Sequence, residues 1–292
     1  MISWEHSFQE ERILIGRLCL NMASGPPSGL PLALLHGVAR RWTDFAPLLP
    51  ELVAHHHVHA LDFRGHGLSD RTDGGYLIAD YTRDAICWVE GLARRLGQPV
   101  IVYGHSLGAM VAAAVAAQAS GAVRAIVLED PPYHTMGTRI RQTPYYQQFI
   151  GMRELARRGG STDELARGLA EIRVPTDKGE MPLGGLRDEA SLRQSAQCLS
   201  VTDAEVLAPI IEGRWFDDHE EAAIWGEVQC PTLLLQADSK AGGALTDEDA
   251  QRIESTICRC TRIQLEGAGH LIHWVQPQRV IRLLSEFVEP TL

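Results

Sequence analysis

The sequence predicts an α/β protein: a mostly parallel, doubly wound sheet with a helical lid inserted after its sixth strand. Three observations carry this expectation. Short, fully apolar runs alternate with helix-length segments from Ile13 to Leu128, and strands covered by helices on both faces read as such runs. The alternation stops after Asp130-Pro131-Pro132 and resumes at Thr232. Finally, Gly104-His105-Ser106-Leu107-Gly108 lies where an apolar run passes directly into an Ala-rich helical segment, a juncture that needs small residues because the backbone there turns sharply.

In chain order, 13–15 and 18–20 predict a hairpin that turns at Gly16-Arg17. A Gly/Pro-rich loop at 25–29 leads to a strand at 32–35, a helix over 42–52 and a strand at 58–61. A helix over 81–96 follows, with Asp80 a candidate cap, then a strand at 100–103, a helix over 107–118 and a strand at 123–128. The segment 133–228 carries no buried-strand pattern, and helical periodicity recurs at 154–158, 163–172, 189–199 and 204–211. The strand rhythm returns at 232–236, then a helix opens near Thr246, a strand covers 261–265 and a helix covers 277–287. The expected organisation is a core made of 1–132 and 229–292, with 133–228 as a lid. Asp247 and Asp249 are expected only to complement the helix dipole.

Composition narrows the function classes. The 292 residues carry 27 Lys+Arg against 37 Asp+Glu, a net charge of −10, so no electrostatic footprint for nucleic acid exists. No apolar run approaches the about 18 residues of a membrane span, so no membrane partner is expected. The opening Met1 to His6 lacks the basic and apolar regions of a secretory signal. The six cysteines show neither metal-type nor disulfide-framework spacing. A cytoplasmic protein acting on a small-molecule substrate is expected, as monomer or homodimer. Cys258-Arg259-Cys260 lacks a second pair, and His55, His56, His57 and His59 approach a strand whose side chains alternate between faces, so neither group is expected to hold a metal.

The Gly104–Gly108 segment carries chemistry. Its serine would stand on a strand-to-helix turn, where free N–H groups and the positive helix end favour negative charge developing on an attacked carbonyl. A serine hydroxyl becomes a competent nucleophile once an imidazole accepts its proton.

Taken with three further segments, this turn resembles the α/β-hydrolase family, in its lid-bearing esterase, lactonase and carbon–carbon hydrolase branch. Leu34-Leu35-His36-Gly37 resembles the turn that supplies a second oxyanion amide. Asp62-Phe63-Arg64-Gly65-His66-Gly67-Leu68-Ser69 resembles the D-x-R-G-H-G-x-S segment, and Gly267-Ala268-Gly269-His270 resembles the loop of the catalytic histidine. The resemblance spans nearly the whole chain and implies Ser106 as nucleophile, His270 as base and the amides of Val38 and Leu107 as the oxyanion hole. His36 and His105 are expected to pack or stabilise turns, and His273 to lie on the neighbouring loop or helix start.

The triad acid has three candidates. The loop after the strand that follows the lid carries Asp238, the favoured one, although the commonest family register there falls near Lys240. The loop after the preceding strand carries Asp130 and Glu129. A serine nucleophile argues against dehalogenase and epoxide-hydrolase chemistry, which the family performs with an aspartate, and no cofactor is implied. The expected activity is hydrolysis of an ester or lactone of a small-to-medium apolar substrate through an acyl-enzyme. Carbon–carbon bond hydrolysis and a hydrolase-like receptor are the alternatives, and a basic pocket would favour the first of these. Arg40 and Arg41, directly after the oxyanion turn, are the residues that could meet an acidic group, although two such arginines are more often solvated. The large apolar residues of the insertion, among them Tyr145, Phe149 and Met152, pack the lid or line a pocket.

Overall fold

The computed structural model describes residues 7–137, 139–176 and 179–289; the opening Met1 to His6 lies outside them. The hairpin is β1 (Gln9–Ile15) and β2 (Leu18–Ser24), followed by β3 (Leu30–Leu35), β4 (His56–Leu61), β5 (Val100–His105) and β6 (Val123–Glu129). After the insertion come β9 (Thr232–Ala237) and β10 (Cys260–Leu265), completing an eight-stranded sheet of order β1-β2-β4-β3-β5-β6-β9-β10. β2 pairs antiparallel with β1 and β4, and all other pairings are parallel. The parallel strands β5, β6 and β9 are buried along nearly their whole length, as both-faced coverage requires. Two apolar clusters form the core, one holding Val102, Ile126 and Leu128 and the other Ile101, Tyr103 and Val127. Neighbouring residues of one strand thus feed opposite faces.

Two helices differ from expectation. The stretch 42–52 is a 3-10 turn at Trp42–Phe45 followed by α1 (Leu49–His55). Pro47 has no N–H to continue the first turn, and Pro50 suits the first turn of the next helix. α2 (Ile78–Leu96) begins earlier than expected, and Asp80 stabilises its start from the third helical position by accepting from Leu77 N at 2.9 Å. α3 (Leu107–Gln118) starts directly at the Ser106 turn and is buried over nearly its whole length.

The segment between β6 and β9 holds α4 (Tyr133–Met136), α5 (Pro144–Arg158), α6 (Thr162–Glu171), α7 (Glu189–Leu199), α8 (Ala208–Glu212) and α9 (Glu221–Glu227). It also holds a hairpin, β7 (Arg173–Thr176) with β8 (Gly179–Pro182), apart from the main sheet. Its four-residue strands are largely exposed, so they carry no buried-strand pattern. Asp249, in the first turn of α10 (Asp247–Thr256), does more than meet a dipole. Fully buried, it accepts from His134 N at 3.2 Å and pairs with His134 Nδ1 at 2.7 Å, tying α4 to the core.

Candidate active site

Ser106 stands at the end of β5 with φ 53° and ψ −116°. This backbone is strained for a residue with a side chain. The turn is possible because of its glycines: a Cβ on Gly104 would lie 2.0 Å from Gly108 O, and one on Gly108 would lie 1.9 Å from Leu35 O. The elbow therefore packs directly on the end of β3. Ser106 N donates to Glu129 O at 2.9 Å, fixing the elbow to β6 as well. Three of the four non-glycine residues with positive φ among the described residues, Ala39, Ser106 and Asp130, belong to this one site, where backbone strain is characteristically kept.

The loop after β10 brings His270 over the serine. Ser106 Oγ lies 3.0 Å from His270 Nε2, and His270 Nδ1 lies 2.6 Å from Asp130 Oδ2. Asp130 is fully buried. Its carboxylate also accepts from Ala237 N at 3.1 Å, Ala244 N at 2.7 Å and Leu245 N at 3.2 Å. Those donors fix the carboxylate in place. Asp238, favoured from sequence, lies elsewhere: its side chain caps a turn by accepting from Lys240 N at 2.9 Å and Gly267 N at 3.0 Å. These bonds pull its carboxyl below the ordinary carboxylate range. Asp238 shapes the histidine loop from outside, and Asp130 is the acid that reaches the imidazole.

The turn after β3 is held by neutral histidines. His36 donates from Nδ1 to Gly37 O at 2.7 Å and accepts at Nε2 from Phe63 N at 3.0 Å. His66 accepts at Nε2 from Ala39 N at 3.0 Å and donates from Nδ1 to Arg64 O at 2.9 Å. Burial lowers the pKa of His36 to about 4 and of His66 to about 3, so both keep the neutral form these bonds require. Val38 follows this turn, and Leu107 opens α3. Among the described residues, no chain acceptor is set against the N–H of either. Arg64 is bound by Asp84 at 2.6 and 2.7 Å.

Glu129, the third acid candidate, belongs to a second buried group. His273, on α11 (Ile272–Val275), directs Nδ1 to Glu129 Oε1 at 2.8 Å and Nε2 toward Asp44 Oδ2 at 3.4 Å. Tyr103 donates its hydroxyl to Glu129 Oε2 at 2.5 Å, and Arg40 lies 3.4 Å from Asp44 Oδ1. Burial alone would lower the His273 pKa, but the charge of Glu129 and the bonds to both carboxylates outweigh it and raise it to about 10. His105, Glu129 and His273 bring potential ligand atoms within 4.8 Å of one another. Because both His273 nitrogens face carboxylates, however, the donor set fits an imidazolium better than a metal. His105 donates from Nε2 to His270 O at 3.0 Å, and its ring packs against both His270 and His273.

A cavity of about 40 Å³ lies over Ser106, lined in part by Val38, Phe149, Met152 and His270. It has room for a few water molecules. Arg40 and Arg187 also line it, whereas Arg41 turns away toward Glu10 at 3.5 Å. Sequence reasoning missed Arg187, Asp44 and the roles of His66 and His273. Arg187 stands in an irregular stretch of the insertion that carries no motif.

The alpha/beta hydrolase family profile matches residues 32–283. The chain is 27% identical over 97% of its length to 2-(acetamidomethylene)succinate hydrolase of Mesorhizobium japonicum, covering 96% of that protein. It is 23% identical to (E)-2-((N-methylformamido)methylene)succinate hydrolase of Acinetobacter baylyi, over 90% of this chain and 92% of the relative. Among solved structures, the N-formylmaleamic acid deformylase of Pseudomonas putida S16 superposes with a TM-score of 0.74 at 20% identity, over 95% of this chain and all of the other.

Proposed function

The chain belongs to the alpha/beta hydrolase family, and from that premise we propose that it is a cofactor-independent serine hydrolase of acyl compounds, working through an acyl-enzyme. The observation that carries the reading is the unbroken line from Ser106 Oγ to His270 Nε2 at 3.0 Å and from His270 Nδ1 to Asp130 at 2.6 Å.

In this reading His270 Nε2 takes the proton of Ser106 as Oγ bonds to the substrate carbonyl carbon. Asp130 accepts from His270 Nδ1 and stabilises the imidazolium that forms. The N–H groups of Leu107 and Val38 hold the developing oxyanion. Collapse of the tetrahedral intermediate breaks the bond to the leaving group, which departs with the proton from His270. Water then attacks the acyl-enzyme, again giving a proton to His270, and the acid is released with Ser106 restored. Esters and lactones fit this sequence. So do amides, and the names of the Mesorhizobium and Acinetobacter relatives carry an N-acylamino group. A second reading, hydrolysis of a carbon–carbon bond beside a carbonyl, draws support from the two arginines in the cavity wall, because substrates of that chemistry are acids.

A fluorophosphonate probe tests the nucleophile. Wild-type protein is expected to label at Ser106, and folded Ser106→Ala is expected to stay unlabelled. Equal labelling of the variant, or none of the wild type, would overturn the assignment.

A further inference from the structure

Resting on the serine-hydrolase reading, a further question is what the cavity wall selects. Arg187 sits just before α7 and lines the cavity over Ser106. Its one polar side-chain contact is Gln148 Oε1 at 3.3 Å, and among the described residues no carboxylate lies within ion-pair distance of it. Its surroundings are those of a retained cation without its anion: burial and the nearby charge of Arg40 lower its pKa to about 10, which still leaves it charged at neutral pH. A partly buried guanidinium without an anion is costly, and a planar fork of donors suits a carboxylate. Arg40, which also lines the cavity, is buried, and among the described residues Asp44 at 3.4 Å is its one anion. Asp44 in turn faces His273, so Arg40 shares its one carboxylate. Phe149, Met152 and Leu192 give the wall an apolar part, beside the polar Gln148 and Ser195.

We propose that Arg187, together with Arg40, forms a carboxylate subsite beside the nucleophile, and that the natural substrate is an acyl compound carrying a free carboxylate, a dicarboxylate derivative engaging both arginines. The apolar wall receives the carbon chain between the carboxylate and the scissile bond. The proposed substrate is anionic, where the sequence led to the expectation of a largely apolar one.

Monoethyl succinate and ethyl butyrate present the same ethyl ester on a charged and an uncharged acyl chain, and acid release from each is followed by pH-stat. Wild-type protein is expected to prefer monoethyl succinate in kcat/KM by roughly 10- to 100-fold, the range for one charge-assisted contact. In Arg187→Met this ratio should fall to near one, mainly through a higher KM for the acid, and Arg187→Lys should restore part of it. Succinate should inhibit wild type competitively and Arg187→Met only weakly. A fluorophosphonate-reactive wild-type enzyme with no preference for the acid would overturn the subsite alone, as would a ratio unchanged by Arg187→Met. Failure of both substrates together with absent labelling would instead strike the serine-hydrolase reading.

Discussion

Asp130→Asn is expected to lower kcat on a short p-nitrophenyl ester by about 10⁴-fold, as when a triad acid loses its charge. Asp238→Asn is expected to stay within a few-fold of wild type. The asymmetry follows from hydrogen-bond bookkeeping. The Asp130 carboxylate accepts four bonds, from the backbone N–H groups of Ala237, Ala244 and Leu245 and from His270 Nδ1. An asparagine has one acceptor oxygen and one NH2. With its oxygen kept on Ala237 and Leu245, its NH2 faces Ala244 N–H and His270 Nδ1. The imidazole then presents its lone pair at Nδ1 and its proton at Nε2, where it can no longer accept from Ser106. Asp238 has no contact with the imidazole, and an amide oxygen can still cap its turn. Circular dichroism separates loss of fold from loss of activity. Near-normal turnover of folded Asp130→Asn would remove Asp130 from the mechanism.

The second large effect concerns stability. His273→Met is expected to cost about 3–5 kcal/mol, the cost of leaving buried carboxylates without their cation, and to lower Tm by roughly 5–8 °C for a chain of this size. Glu129 and Asp44 are both fully buried. Glu129 would keep Tyr103 and Asp44 would keep Arg40, but neither would retain the imidazolium between them. The pH dependence has a definite sign. The folded pKa of His273 is raised from 6.5 to about 10, so its contribution is full below about 6.5 and is lost as the pH rises through 10. Burial pushes the Glu129 carboxyl up, but the charges of His273 and His105 and the bonds from His273 and Tyr103 bring it down from 4.5 to about 2. Its contribution is therefore full above about 4.5 and is lost as the pH falls through 2. Wild-type Tm should accordingly decline from about pH 6.5 upward, and His273→Met should flatten that decline. A variant that melts like wild type at pH 6, or keeps the full alkaline slope, would refute the ion-pair account.

Much of this protein could be read from its residues. The apolar runs give the parallel strands because a strand covered on both faces has no polar side to show. Gly104-His105-Ser106-Leu107-Gly108 marks the elbow because only hydrogen at Cα fits where the turn meets β3. His270 is legible for a similar local reason, in a glycine-flanked loop just past a strand. Bounds slipped at prolines, as in 42–52, where a strand was short and exposed, as in β7 and β8, and at the start of α2, where Asp80 acts from inside the first turn.

By itself, then, the sequence determined the sheet, the position of the insertion and the two residues that meet at 3.0 Å, because each depends on patterns within a few turns of chain. Only the tertiary structure decided which acid completes the line. β6 and β9 are parallel neighbours, with Glu129 paired in register with Leu235, so Asp130 and Asp238 both leave the same edge of the sheet as candidates. The choice falls to Asp130, whose φ of 46° turns its side chain beneath the imidazole, while Asp238 is committed to capping its own loop. The same holds for Arg187 and His273. Their partners come from elements far apart in the chain, and a side chain's charge and reach acquire meaning only once packing has fixed what stands opposite it.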